Sequence, residues 1–282
     1  MCNLGDTVSV EWIDGDSDHE LLSDATLAAW NETMEYIPKS KQLNVFGNHD
    51  TWYYNGYSDE DNSIGTRYPA SLAHLNQYFR NIYATRKTNN GWFATVDPMF
   101  NVKYVVVSGY EAIDGTRTST TTISTEQMNW LIEELSKDDG YDIVTIAHEP
   151  LYWNSETVID PVGDNTYNDN MLRFSEINTD DLFNARKNKG SGTIIDSEGV
   201  EHSYDFSNCS TPYYCHLHGH IHADGYDYVG DSETGVLNVS FDWFPDLTVH
   251  FVLIDRANGY VNVWKYDNTM TESINYQIPF DK

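Results

Sequence analysis

The sequence predicts an α/β fold with helices packed on two sheets. Helical and strand-like runs alternate through the first half of the chain, and strand alternation dominates the second. Three polar clusters each follow directly on an apolar, strand-like run. In an open α/β sheet, ligands collect at the carboxyl ends of strands, so these clusters mark one candidate site. At 282 residues the chain is long enough for a sizeable core, and it reads as a single domain over 1–282.

Taken in order, residues 3–8 read as a strand end running into a loop around Gly5-Asp6. Residues 21–37 carry Leu22, Ala25, Ala29, Trp30, Met34 and Ile37 at helical spacing, and the helix stops at Pro38. A short buried strand over 42–46 leads into Gly47-Asn48-His49-Asp50. Tyr, Asn, Asp and Gly crowd 53–68, which predicts a long surface loop. A helix over 70–81 precedes strands at 92–96 and 102–108.

Ser124 opens a helix with Glu126 and Gln127 in its first turn and Met128, Leu131, Ile132 and Leu135 facing inward. A strand over 141–147 ends at His148-Glu149-Pro150. Residues 151–178 look irregular, and a helix follows over 179–187. A hairpin pairs 193–196 with 201–206 across Ser197-Glu198-Gly199. The strand over 213–218 ends at Gly219-His220-Ile221-His222, and further strands lie at 236–241, 248–254 and 260–266.

Lys and Arg number 16 against 44 Asp and Glu, a formal charge of -28. Such a field repels polyanions, so long nucleic acid is not an expected partner. A small phosphorylated substrate can still enter where bound cations reverse the local sign. Cys2, Cys209 and Cys215 form no CxxC pair, which argues against a disulfide framework and for a reducing, cytoplasmic setting. No apolar run is long enough to span a membrane.

The chemistry sits in the clusters. His220 and His222 are two apart, so on extended backbone both imidazoles face one side and can chelate a cation. His216 and His218 continue that alternation, with a structural role as the simpler reading. His19, His74, His202 and His250 lack ligand-like neighbours and read as surface or satisfied histidines. Trp52, Tyr53, Tyr54 and Tyr57 either wall a pocket mouth or pack a loop down.

The ordered series Gly5-Asp6, Gly47-Asn48-His49-Asp50, His148 and Gly219-His220-Ile221-His222 resembles the motifs of the calcineurin-like metallophosphoesterase superfamily. The resemblance spans essentially the whole chain. It implies a metallophosphoesterase-type sandwich of two mixed β-sheets flanked by helices. It also implies hydrolysis of phosphate mono- or diesters by metal-activated water. Carried onto this chain, Asp6 would bridge two divalent transition metal ions (Mn, Zn or Fe). Asn48, His148 and His220 would complete the second metal's shell, and His222 would go to the first. His49 would act as general acid at the leaving oxygen, with Asp50 orienting it.

The family opens with an Asp-x-His motif on its first strand, and no histidine here has Asp two residues before it. Asp16-Ser17-Asp18-His19 has the wrong spacing and reads as a solvated acidic loop. The first metal is thus left with Asp6 and His222. The expectation is an N-terminally incomplete chain, any leader missing with it, and possession of one metal rather than two as the next reading. A missing strand would also leave a sheet edge or core face uncovered. The alternative is a degenerate, non-catalytic metal- or ligand-binding module on the same fold.

Overall fold

The computed structural model describes residues 2–4, 32, 34–37, 43–45, 47, 52–58, 63–69, 91–109, 112–113, 116–117, 123–153, 159, 172–173, 179–221, 223–230, 234–241, 249–266, 269 and 272–280. Strands β1 (Cys2–Asn3) and β2 (Leu43–Asn44) pair in parallel, so they run out at the same end. Strands β3 (Trp52–Ser58) and β4 (Ser63–Pro69) form an antiparallel hairpin, with Tyr53 opposite Tyr68. A loop was expected over 53–68, and the hairpin corrects it. Acidic and amide residues concentrate at 59–62, between the arms, while Trp, Tyr, Thr and Ile in the arms suit pleated backbone.

Strand β5 (Phe93–Asp97) turns back through Asn101, at φ 55°, into β6 (Val102–Val106). Two short strands, β7 (Ala112–Ile113) and β8 (Thr116–Arg117), follow. Helix α1 (Thr125–Ser136) begins where the sequence places it: the Gln127 N–H donates to Ser124 Oγ at 3.1 Å, satisfying one of the helix's orphan donors. Its Met128, Leu131 and Leu135 are fully buried. Strand β9 (Asp142–Ile146) comes next, then the short pair β10 (Tyr152–Trp153) and β11 (Leu172–Arg173).

Helix α2 (Thr179–Asn188) leads to the expected hairpin, β12 (Ser191–Ile195) and β13 (Glu201–Asp205), with Gly199 at φ 81° in its turn. The last strands are β14 (Tyr213–His218), β15 (Gly225–Val229), β16 (Val236–Ser240), β17 (Val249–Asp255), β18 (Tyr260–Tyr266) and β19 (Glu272–Pro279).

The main sheet has the order β15-β16-β14-β9-β6-β5. Its inner strands β6, β9, β14 and β16 run parallel, and the outer strands β5 and β15 run antiparallel to their neighbours. Every residue of β9 and β14 is buried, as expected of parallel strands covered on both faces. Val105, Ile143, Ala147 and Tyr213 meet Met128, Leu131, Leu182 and Phe183 of the two helices on one face. Val106, Val144, Ile146 and Leu217 on the other share a core with Val261, Val263 and Ile278 of the three-stranded sheet β17-β18-β19. Val45 belongs to that second core, with Cys2, Leu4 and Leu43 packed against it. The described protein is thus mixed α/β and strand-rich.

Polar contacts brace these layers. Arg186, with no meaningful exposure, donates to Leu135 O at 2.6 Å and to Thr211 O and Oγ1 at 3.1 and 2.7 Å. It thereby serves an orphan carbonyl at the end of α1 and ties both helices to the entry of β14. Near the start of β9, Asp142 Oδ2 accepts from Tyr214 OH and from an Arg256 guanidinium N–H, each at 2.6 Å. That pair links the main sheet to the turn after β17.

Strand β17 is an outer strand of its sheet among the described residues. Its Val249, Phe251, Val252 and Leu253 are all exposed. Cys2, Cys209 and Cys215 are free thiols, and burial pushes Cys215 up to about 12, which leaves it unreactive. No helix among the described residues is long and apolar enough to cross a membrane.

Candidate metal centre

Three chain segments converge at the carboxyl ends of β1, β9 and β14. Strands β9 and β14 are parallel neighbours, so the residues after them emerge side by side. The Gly219 N–H donates to His148 O at 3.0 Å and clamps the two strand ends together. Leu4, just past β1, lies against both: a Cβ placed on Gly219 would sit 3.5 Å from Leu4 Cβ and 3.9 Å from His148 Nδ1. Since β2 runs parallel to β1, Gly47 leaves its strand at that same end, and it is buried.

His148 is only 2% exposed, and its Nδ1 lies 2.7 Å from the Leu4 carbonyl oxygen. A carbonyl only accepts, so Nδ1 carries the proton and Nε2 keeps its lone pair. That Nε2 points at His220 Nδ1, 3.0 Å away, with the two rings nearly edge to face at 71°. A cation about 2.0–2.1 Å from each of two nitrogens separates them by roughly 2.9 Å at a right angle and about 3.3 Å at the tetrahedral angle. In the structure this contact is a hydrogen bond that His220 Nδ1 donates to the His148 lone pair. The same 3.0 Å falls within the span that a cation replacing that proton would set. A backbone carbonyl holding the far nitrogen is the usual support for a metal-ligating histidine, so the pair fits a divalent transition metal.

The backbone at His220 is unusual. Its φ is 68°, left-handed for a residue with a Cβ, and the Ile221 N–H donates back to Gly219 O at 2.9 Å. That is a γ-turn of the rare positive-φ kind. Such strain costs on the order of 1–3 kcal/mol and persists only where the surroundings impose it. Here they do. Ile221 and Ala223 are buried, Ala223 O accepts from Ser240 Oγ at 2.7 Å, and the Phe241 N–H donates to His218 O at 3.1 Å.

The histidines earlier on β14 face the helices. His216 is fully buried, with Nδ1 2.9 Å from Thr145 Oγ1 and Nε2 3.1 Å from the Glu149 carbonyl. Burial drives its pKa down to about 4, so it is neutral at physiological pH. His218 Nδ1 sits 2.9 Å from Gly219 O, and burial, with His216 beside it, pushes its pKa well below the ordinary value. Both are fully buried. His216 steadies the segment after His148 through Glu149.

His202 is hydrogen-bonded, and His250 is held in close contact with a carboxylate. His202 contacts Asp196 Oδ2 at 2.7 Å and Asn129 Oδ1 at 3.0 Å. His250 Nε2 lies 2.7 Å from Asp224 Oδ1, while Lys265 Nζ donates to Asp224 Oδ2 at 2.7 Å. Burial works to raise the Asp224 pKa, but its contacts with His250 and Lys265 outweigh it and hold the group below the usual carboxylate range. Nothing in the sequence singles out Asp224 or the Leu4 carbonyl, since one acts through distant partners and the other through backbone.

Of the expected site residues, His148 and His220 are described and brought together. Asp6, Asn48, His49, Asp50 and His222 lie outside the described residues, as do Asp16 and His19. Among the described residues, no group of three or more His, Cys, Asp or Glu is placed to hold a metal. Comparison of the sequence with models of known protein families found no match, and comparison with curated proteins found none either.

Proposed function

We propose that this protein is a metal-dependent hydrolase of phosphate mono- or diesters, with a metallophosphoesterase-type sandwich of two mixed sheets. The observation that carries the reading is the His148–His220 pair. One ring is locked by the Leu4 carbonyl and the other aimed by a strained turn, so two imidazole nitrogens face each other at 3.0 Å at a strand-end site. Asp6, Asn48, His148, His220 and His222 are the residues that would hold the metal. A bound divalent cation supplies Lewis acidity toward phosphoryl oxygens and a source of nucleophilic water at neutral pH.

The chain's own residues do the rest. Leu4 and Gly219 fix His148 in place, and His216 holds the Glu149 carbonyl behind it. His49 donates a proton to the departing alkoxide, which suits a side chain whose ordinary pKa is about 6.5. Asp50 orients that imidazole. The strongly acidic composition favours cation uptake and disfavours long polyanions, which points to a small substrate.

The absence of an Asp-x-His motif favours a second reading, a non-catalytic metal-binding module on the same fold. Hydrolysis of a chromogenic phosphodiester and monoester with added Mn²⁺ separates the two. Metal-dependent turnover that falls by about 10²–10⁴ in His49→Ala supports the enzyme. Metal binding without turnover, in the same preparation, establishes the module instead.

A further inference from the structure

We propose that Asp224 is a positioning residue for the metal centre, locking the His220 turn in its ligating pose by anchoring it to the second sheet. The assignment rests on the metal-dependent reading above. The segment from Gly219 to Asp224 leaves β14 through the strained turn at His220 and must be held at both ends for the strain to persist. Its near end is fixed by the Gly219 N–H to His148 O at 3.0 Å, within the main sheet. Ser240 Oγ, donating to Ala223 O at 2.7 Å, also belongs to the main sheet.

Asp224 is the contact that reaches across. It is 1% exposed, and its two carboxylate oxygens are divided between strands, Oδ1 toward His250 on β17 and Oδ2 toward Lys265 on β18, each at 2.7 Å. His250 and Lys265 are directly opposite each other in the β17–β18 ladder, so the carboxylate meets a rigid, pre-formed pair. Phe241, which receives the loop through its bond to His218 O, also packs edge-on against the His250 ring at 5.1 Å. Lys265 Nζ donates a hydrogen bond to Oδ2, and His250 Nε2 lies in close contact with Oδ1. The carboxylate is thus held from two strands at once, which fixes its direction as well as its position. Without it, the left-handed turn has a route to relax, and His220 swings away from His148.

The test uses the full chain, with Co²⁺ as the probe. Titration is followed by the visible absorption of the bound ion, and folding by circular dichroism. The unaltered chain is expected to give a saturable cobalt spectrum that His148→Ala abolishes. Asp224→Asn is expected to stay folded, to bind Co²⁺ about tenfold more weakly and to give an altered band, with smaller losses for Lys265→Met. Should Asp224→Asn fail to fold, the His250→Gln/Lys265→Met double variant, which keeps the carboxylate, is expected to show the same weakened binding. A folded Asp224→Asn, or that double variant, with unaltered affinity and band overturns the assignment while leaving the metal reading intact. No cobalt spectrum from the unaltered chain overturns both.

Discussion

Replacing His216 with glutamine removes one titrating group from the buried core behind the candidate site. Gln can still present a donor toward the Glu149 carbonyl, which His216 Nε2 meets at 3.1 Å. The folded protein protonates His216 only near pH 4, against 6.5 for the ordinary side chain. The unfolded chain therefore takes up a proton that the folded state refuses throughout that window. His216 leaves stability undiminished above about pH 6.5 and erodes it as pH falls toward 4. Worked through, the loss on going from pH 8 to pH 5 is about 2 kcal/mol for this one group.

Urea unfolding of the parent and of His216→Gln at both pH values measures it. The parent is expected to lose about 2 kcal/mol more than the variant between pH 8 and pH 5. Comparing the two proteins cancels groups that titrate in the same range away from His216. His218, whose ring stacks on His216 at 5.9 Å, is coupled to it and belongs to the same response. Equal losses would refute the reasoning, because they would mean that His216 is protonated alike in both states.

Two further outcomes test the frame that carries the site. Ser124→Ala removes the acceptor that caps helix α1 and is expected to lower stability by about 1 kcal/mol, read as a shift in the urea midpoint at constant slope. Leu131→Ala opens a cavity between α1 and the main sheet at a fully buried position and is expected to cost about 2–5 kcal/mol, read the same way.

Much of this was legible in the sequence because it is local. Ser124 and the inward spacing of Met128, Leu131 and Leu135 mark α1, and the apolar runs ahead of His148 and Gly219 mark β9 and β14. His148 and His220 came together because two adjacent parallel strands end beside each other. The hairpin at 52–69 is obscured in the sequence because Asn55, Gly56 and Gly65 fall within its arms, so the turn residues are not confined to 59–62 between them. Strand β15 opens on Gly and alternates Tyr with Asp, and β19 is polar and ends on Pro, so neither carries an apolar run. The long-range features left the least trace. Asp224 finds Lys265 across 41 residues, and Leu4 finds His148 across 144 through a backbone carbonyl that any residue would possess. The positive φ at His220 likewise left no trace, since a residue with a Cβ gives no local signal for the left-handed region.

The most direct test of the central claim is the metal content of the protein purified without chelator, measured by elemental analysis for the parent and for His148→Ala. The account predicts about one or two equivalents of Mn, Zn or Fe per parent chain, lost in His148→Ala while the variant keeps its folded circular dichroism. No bound metal in the parent, even after incubation with these ions, would contradict it and leave the strand-end histidines as a structural pair.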